Sequence, residues 1–171
     1  MVIRKDEAMN QNIRTTAFRL REAIQKEYAY LVGIPDKTAS VSEGASSWSI
    51  KETLGHLIDS ASNNHQRMVR LQYNRRLDFP DYQRENELWV GIQRYATEDW
   101  LLLVELWKYF NLHIAHVIES VDQDSLGHTW DNGQGVLVSL EDIIIGYLDH
   151  VLLHMKDIRH KAAVTAARTL P

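Results

Sequence analysis

The chain has 171 residues, a length typical of one domain, with the 44% hydrophobic and 25% charged content of soluble globular proteins. No apolar run reaches the ~18 residues that predict a membrane span, and the N-terminal "MVIRKDEAMN" lacks the apolar segment of a secretory signal. The net charge of −4, without a basic stretch, argues against a nucleic acid partner, and the absence of cysteine excludes disulfides and thiolate metal sites and favours the cytoplasm.

The first predicted helix covers residues 12–32 and ends before Gly33 and Pro35. Its apolar side chains recur with the period of an amphipathic helix: Ile13, Ala17, Leu20, Ile24, Tyr28 and Leu31. The second predicted helix covers residues 49–73 and begins with a capping-box pattern, Ser49 with Glu52. Its apolar face contains Leu54, Leu57, Ile58, Ala61, Met68 and Leu71.

The third predicted helix covers residues 97–121, with Thr97 as its N-cap. Its apolar face contains Trp100, Leu103, Val104, Trp107, Phe110, Ile114, Val117 and Val121. The fourth covers residues 139–163 and begins with Ser139 and Asp142, which repeat the cap pattern. Its apolar face contains Ile144, Leu148, Val151, Met155 and Ile158.

Four amphipathic helices of this length predict an all-α protein, a four-helix bundle that forms one domain over residues 1–171. The connection between the second and third helices is about 25 residues long and can cross the whole bundle, so these two helices can run parallel. Its middle, residues 84–94, is a candidate short helix. The turn sequence "DNGQG" before the last helix predicts a small hairpin.

His150 and His154 stand four residues apart in the last predicted helix and therefore lie on one of its faces. This spacing lets two imidazoles reach one metal ion. The alternative is that both are ordinary histidines at the edge of the core. The sequence contains neither H-E-x-x-H nor E-x-x-H, which argues against a zincin helix and a ferritin-like di-iron bundle.

A third ligand has to come from another helix, and His56 is the best candidate. Glu52 and Asp59 share its helix edge, where either can hold the second ring nitrogen. The alternative is a solvated helix face with an incidental histidine. The remaining histidines are weaker candidates. Two of them flank a core face at i, i+3: His113 and His116. Three have no partner at suitable spacing: His65, His128 and His160.

The stretch "SSWSIKETLGHLIDS" resembles the pattern W-S-x-x-E-x-x-x-H-L of the DinB/YfiT-like family, and "DHVLLHMKDI" resembles the family's closing H-x-x-x-H-x-x-x-I helix. The resemblance implies a four-helix bundle with a long crossover between helices two and three. It also implies a divalent metal, zinc or nickel, held by His56, His150 and His154, and a homodimer. The family commonly has a glutamine near the end of the last motif, where this chain has Asp157, a departure that concerns the substrate more than the metal.

A metal ion held by three neutral imidazoles has an open position and makes a bound water or thiol a nucleophile near neutral pH. The expected function is therefore hydrolysis or thiol-dependent S-transfer on a small molecule, with Glu52 and Asp59 as catalytic candidates. Because the chain has no cysteine, the second reaction needs a low-molecular-weight thiol. The alternative function is a non-catalytic, stress-related binding module whose metal is structural or absent. Three aromatic residues are candidates for the pocket mouth or, equally, for the core at the bundle end: Trp48, Trp130 and Tyr147.

Overall fold

The computed structural model describes residues 2–42, 44 and 47–169, so residues 43, 45 and 46 of the first predicted loop lie outside the described part. The described residues form six α-helices: α1 (Val2–Val32), α2 (Asp36–Ala39), α3 (Ile50–Leu71), α4 (Asn86–Gln93), α5 (Trp100–Glu119) and α6 (Leu140–Thr169). They also form three short strands: β1 (Arg76–Asp78), β2 (Thr129–Asp131) and β3 (Leu137–Ser139). Short 3₁₀ turns lie at Tyr82–Glu85, Tyr95–Thr97 and Gln123–Ser125.

The four long helices, α1, α3, α5 and α6, form a bundle in which α5 and α6 each pack against both α1 and α3. This confirms the predicted all-α four-helix architecture. The apolar faces predicted for the four helices form the core, and their members are buried except for three that are half-buried: Tyr28, Phe110 and Val117. None of the described helices has the length and apolar composition needed to cross a membrane.

The crossover makes α3 and α5 run in the same direction, as two contacts at opposite ends of the bundle show. Lys51, at the start of α3, donates to the carbonyl oxygen of Glu98, which lies just before α5. Gln72, just after α3, accepts a hydrogen bond from the backbone N–H of Asp122, which lies just after α5. The predicted parallel arrangement of these two helices is therefore confirmed.

The helix ends agree with the prediction where a cap pattern is local in sequence. Ser49 and Glu52 form the predicted capping box of α3, and the hydroxyl oxygen of Ser139 accepts from the backbone N–H of Asp142 at 3.0 Å. The predicted N-cap at Thr97 is wrong, because α5 begins at Trp100 with Asp99 as its cap. Thr97 instead ends a 3₁₀ turn, and its hydroxyl donates to the carbonyl oxygen of Arg94 rather than accepting from an N–H of α5. The other corrections concern helix length. The first helix begins at Val2 instead of residue 12, and the last continues to Thr169 instead of ending at residue 163.

A small sheet lies beside the bundle, with β2 paired antiparallel to β3 and parallel to β1. The first pairing confirms the predicted hairpin, and its connection contains two glycines with positive φ, Gly133 at 73° and Gly135 at 79°. The second pairing joins the crossover to the hairpin. The indole N–H of Trp130 in β2 adds a hydrogen bond of 2.7 Å to the carbonyl oxygen of Phe79.

The rest of the crossover packs on α3 through the helix α4, which confirms the predicted short helix, and through Tyr95. A Cβ atom on Gly55 of α3 would lie 2.1 Å from the Tyr95 ring, so only glycine admits the ring at this position. The Tyr95 hydroxyl then reaches Asp59, one turn further along α3, and donates to its Oδ1 at 2.7 Å.

Candidate metal centre

His56, His150 and His154 converge between α3 and α6. His56 lies in the second turn of α3, and the other two lie in successive turns of α6, which packs against α3. One ring nitrogen of each histidine lies within 4.8 Å of one ring nitrogen of the other two. Among the described residues, one group of three or more ligating side chains meets this distance criterion, and it is this one. The i, i+4 spacing brings the pair together, and helix packing adds the third member.

The geometry of the cluster fits a small divalent ion. The Nε2 atoms of His56 and His150 lie 3.3 Å apart. Two imidazole nitrogens at the usual zinc distance of about 2.0–2.1 Å and a tetrahedral angle lie about 3.3–3.4 Å apart, so the observed separation needs no change to fit two ligands on one ion. The His154 ring lies edge-on to both others, with centroid distances of 4.8 Å to His56 and 4.6 Å to His150.

The protonation state of the cluster also suits metal binding. Burial, with a smaller contribution from the neighbouring histidines, lowers the pKa of His56 from 6.5 to about 3. Burial and the neighbouring His154 lower the pKa of His150 to about 4. Burial likewise lowers the pKa of His154, while Asp157 opposes the shift. The three rings are therefore neutral at pH 7, and proton competition for a metal begins at a lower pH than the reference value of about 6.5 predicts.

A hydrogen-bond network orients one of the rings. The Nδ1 atom of His150 lies 3.1 Å from the hydroxyl oxygen of Ser60, which also accepts from the side-chain amide of Asn64 at 3.2 Å. With its proton on Nδ1, His150 donates to Ser60 and presents the lone pair of Nε2 to the cluster. The Nδ1 atom of His56 is buried and has no hydrogen-bond partner among the described residues.

The three histidines line a cavity of about 530 Å³. The ring of Trp48 lies 5.0 Å from that of His56, and the ring of Tyr82 lies 6.3 Å from the same imidazole. Trp130 and Tyr147 also line this cavity while being almost fully buried, so these aromatic residues belong to the pocket wall and to the core at once. Three protein ligands beside a cavity leave a metal position open to a small molecule, as in catalytic zinc sites.

A family model described as the DinB superfamily matches residues 19–158 of the chain. The chain belongs to the DinB superfamily. A solved structure with the same fold is that of YfiT from Bacillus subtilis, with a TM-score of 0.67, 14% sequence identity, and coverage of 94% of this chain and 87% of that one. YfiT is described as "a probable metal-dependent hydrolase with an unusual four-helix bundle topology". No curated protein matches the chain.

The two carboxylates predicted as catalytic lie one turn before and one turn after His56 on α3 of this DinB-superfamily chain, and they accept hydrogen bonds from groups outside the cluster. The Oε2 atom of Glu52 accepts from both the backbone N–H and the hydroxyl of Ser49, at 2.8 and 2.7 Å. Asp59 accepts at Oδ1 from Tyr95 and Gln93, whereas its Oδ2 is buried with no partner among the described residues. Burial raises the pKa of Asp59, and the two hydrogen bonds oppose this. Neither carboxylate is among the described residues that line the cavity, and their catalytic role stays a prediction.

The other histidines of the chain lie elsewhere. His65 and His113 face one another with ring centroids 5.3 Å apart, and His116 is exposed one turn further along α5. His128 has its Nδ1 2.5 Å from the carbonyl oxygen of Leu71, a bond that ties the β2 region to the end of α3. His160 is exposed.

Sequence reasoning missed several polar residues that line the cavity. On α3 these are Asn64 and Arg67, and the crossover contributes Asp81 and Tyr82. The α3 residues follow His56 and Ser60 at intervals of four, four and three, a polar helical face that reading the sequence from His56 forward would have found. The crossover residues carried no such signal, since their position depends on how the connection folds back.

Proposed function

We propose that this protein is a metal-dependent hydrolase of a small molecule, with a divalent ion, zinc or nickel, held by His56, His150 and His154. The observation that carries the proposal is the cluster of three neutral imidazoles in the wall of a cavity of about 530 Å³. The description of YfiT as a probable metal-dependent hydrolase and the shared fold support it. As part of the same proposal, residues 1–171 are one domain of a cytoplasmic protein.

When bound, the ion would supply a Lewis acid that activates a nucleophile at neutral pH. The chain's own residues would orient the histidine rings and exclude water from them. Ser60 holds the His150 ring by its Nδ1 atom, and the rings of Trp48 and Tyr82 both lie near the His56 imidazole. Burial raises the pKa of Tyr82 to about 12, so its hydroxyl stays protonated and available as a hydrogen-bond donor in the cavity. Asp59 and Glu52 would act as positioning residues for the second helix turn that carries His56.

The same arrangement would serve a thiol-dependent S-transfer, in which a low-molecular-weight thiol takes the open position. Because the chain has no cysteine, that thiol would be added from solution. This makes the two reactions separable by experiment. A binding module with a structural metal would need a fourth ligand, and among the described residues the cluster has three members.

The test begins with elemental analysis of protein purified without an affinity tag, followed by chelation and reconstitution with zinc or nickel. A panel of small esters and amides is then assayed with and without an added thiol such as cysteine. Turnover that is lost on chelation and restored by metal, without any thiol, supports the hydrolase. Turnover that requires the thiol assigns the S-transferase instead. Turnover that persists in metal-free protein would overturn the metal-dependent mechanism. The control variant is His113→Ala, which changes a histidine outside the cluster.

We also propose that the protein forms a homodimer through α5. Its outer face exposes large apolar side chains at helical spacing, Leu102, Leu106 and Tyr109, which are 55%, 47% and 62% exposed. An apolar row of this kind on the surface of a soluble protein is typical of an interaction surface.

A further inference from the structure

One face of α3 lines the cavity from the histidines toward the C-terminal end of the helix. His56, Ser60, Asn64 and Arg67 all line the cavity, and they follow one another at helical spacing. At 1.5 Å per residue, Arg67 lies about 16 Å along the helix from His56. The cavity therefore extends from the three imidazoles to a cationic side chain.

Arg67 is only 5% exposed, which is unusual for an arginine unless it has a structural or binding partner. Its guanidinium carbon lies 3.7 Å from the ring centroid of Trp130, so the cation lies over the indole ring. Nη2 donates to Asp81 Oδ1 at 3.1 Å, and Nη1 donates to Asn64 Oδ1 at 3.4 Å. Nε has no partner among the described residues.

These contacts leave donor capacity unused. A guanidinium has five N–H groups in a planar fork, and only two are engaged by the hydrogen bonds above. Asp81 is itself shared, since the same Oδ1 atom accepts from the backbone N–H of Gln83 at 3.2 Å. A buried, stacked arginine with free donors in a cavity wall is the arrangement that proteins use to bind carboxylates.

We propose that Arg67, held in place in part by Asn64 Oδ1, forms an anion-binding subsite, so that the substrate is a small molecule with a carboxylate at one end and the reacting group at the other. The carboxylate lies against the guanidinium edge, and the reacting group lies at the histidines. This inference rests on the proposed function, because the histidine end defines where the reacting group is placed. Arg67 is in this respect a specificity-determining residue.

The competing explanation is that Arg67 and Asp81 merely tie the crossover to α3 by an ion pair. The two explanations predict opposite results when Asp81 is neutralised. If the ion pair is only a tether, Asp81→Asn weakens the binding of a carboxylate as much as loss of Arg67 does. If Arg67 binds a ligand, Asp81→Asn removes a competitor for the guanidinium and strengthens anion binding.

The experiment uses the zinc-loaded full chain and compares acetohydroxamate with hydroxamates that carry a terminal carboxylate on two to six methylene groups. Both kinds of probe have the same metal-binding head, so their difference reports the distant end. Isothermal titration calorimetry should show that the best carboxylated probe binds about tenfold or more tightly than acetohydroxamate, as expected for charge-assisted hydrogen bonds. Arg67→Gln should remove this preference, Arg67→Lys should retain part of it, and Asp81→Asn should increase it. Arg70→Gln, on the same helix but outside the described cavity lining, is the matched control and should leave the preference unchanged.

Three results would distinguish a failure of the proposed metal function from a failure of the anion subsite. If acetohydroxamate and the carboxylated probes all fail to bind the zinc-loaded chain, the proposed metal function is wrong. If acetohydroxamate binds but no carboxylated probe binds more tightly, the metal site stands and the anion subsite is overturned. If Asp81→Asn abolishes the preference in a protein whose circular dichroism is unchanged, Arg67 is a tether and the inference is overturned as well.

Discussion

The hydroxyl oxygen of Ser60 lies 3.1 Å from Nδ1 of His150, on the side of the ring opposite the cluster. The bond joins α3 to α6, and with the His150 proton on Nδ1 it presents the lone pair of Nε2 to the cluster. Ser60 is almost fully buried and also accepts from Asn64, so its oxygen is held in place. A residue that binds no metal itself therefore sets the orientation of one that would.

Replacing Ser60 by alanine should lower zinc affinity by about 10–100-fold, the usual cost of losing an outer-shell partner. The loss should come without unfolding, because a hydroxyl is removed and no backbone contact changes. Competition titration against a chromophoric chelator measures the affinity, and circular dichroism checks the fold. Ser120→Ala, at an exposed position after α5, is the control. An unchanged affinity in Ser60→Ala would show that the bond does not orient His150.

Alanine replacement of His56, His150 or His154 should each lower zinc affinity severely, since only two protein ligands would remain. Alanine replacement of the three histidines outside the cluster should change it little: His65, His113 and His116. Titration of the six single variants distinguishes the sites. Loss of binding in the His113 or His116 variant, with retention in the His56 variant, would move the metal centre to another helix.

The metal-free protein should lose stability as the pH falls below neutrality. The folded-state pKa values of His56 and His150, about 3 and about 4, lie below the unfolded reference of about 6.5. The unfolded chain therefore binds more protons in this interval, and the free energy of unfolding decreases as the pH falls from about 6.5 toward about 4. Urea denaturation at pH 7 and pH 5 measures the change. A double variant, His56→Gln with His150→Gln, should show a shallower dependence, and an equally steep one would assign the effect to other groups.

Gly55→Ala should destabilise the fold by about 1–3 kcal/mol, because the new methyl group would overlap the Tyr95 ring. Displacement of Tyr95 should also disturb its hydrogen bond to Asp59. Urea denaturation measures the free energy of unfolding. Gly91→Ala in α4 is the matched control, since a Cβ there meets no atom within 4 Å and alanine favours the helix. Equal stabilities for the two variants would contradict the close packing of Tyr95.

Leu106→Glu should convert the proposed dimer into a monomer, because it places a charge in the exposed apolar row of α5. Multi-angle light scattering at micromolar concentration measures the mass of the parent and the variant. Leu153→Glu, at a similarly exposed apolar position on α6, is the control. A monomeric parent would rule out the dimer, and a variant that stays dimeric would place the interface on another surface.

Features that depend only on neighbouring residues could be predicted from the sequence. Helical periodicity placed the four apolar faces, and the capping box at Ser49 follows from residues three apart. The His150 and His154 pair is equally local, because a helix turn brings residues four apart to one side. His56 was the best candidate for the third ligand but had a bland alternative on its helix edge, and the family resemblance then implied the set of three. The bundle then placed all three nitrogens within 4.8 Å.

The residues that complete the cavity depend on how distant parts of the chain fold together. Asp81 meets Arg67, and Tyr95 meets Asp59, because the crossover folds back onto α3, and no periodic pattern in the connection indicates that path. The pairing of β1 with β2 has the same origin, since three-residue strands more than 50 positions apart carry almost no signal of their own. The pKa values of the histidines were likewise outside the reach of the sequence. They follow from burial, and burial is a property of the assembled helices rather than of any short stretch of the chain.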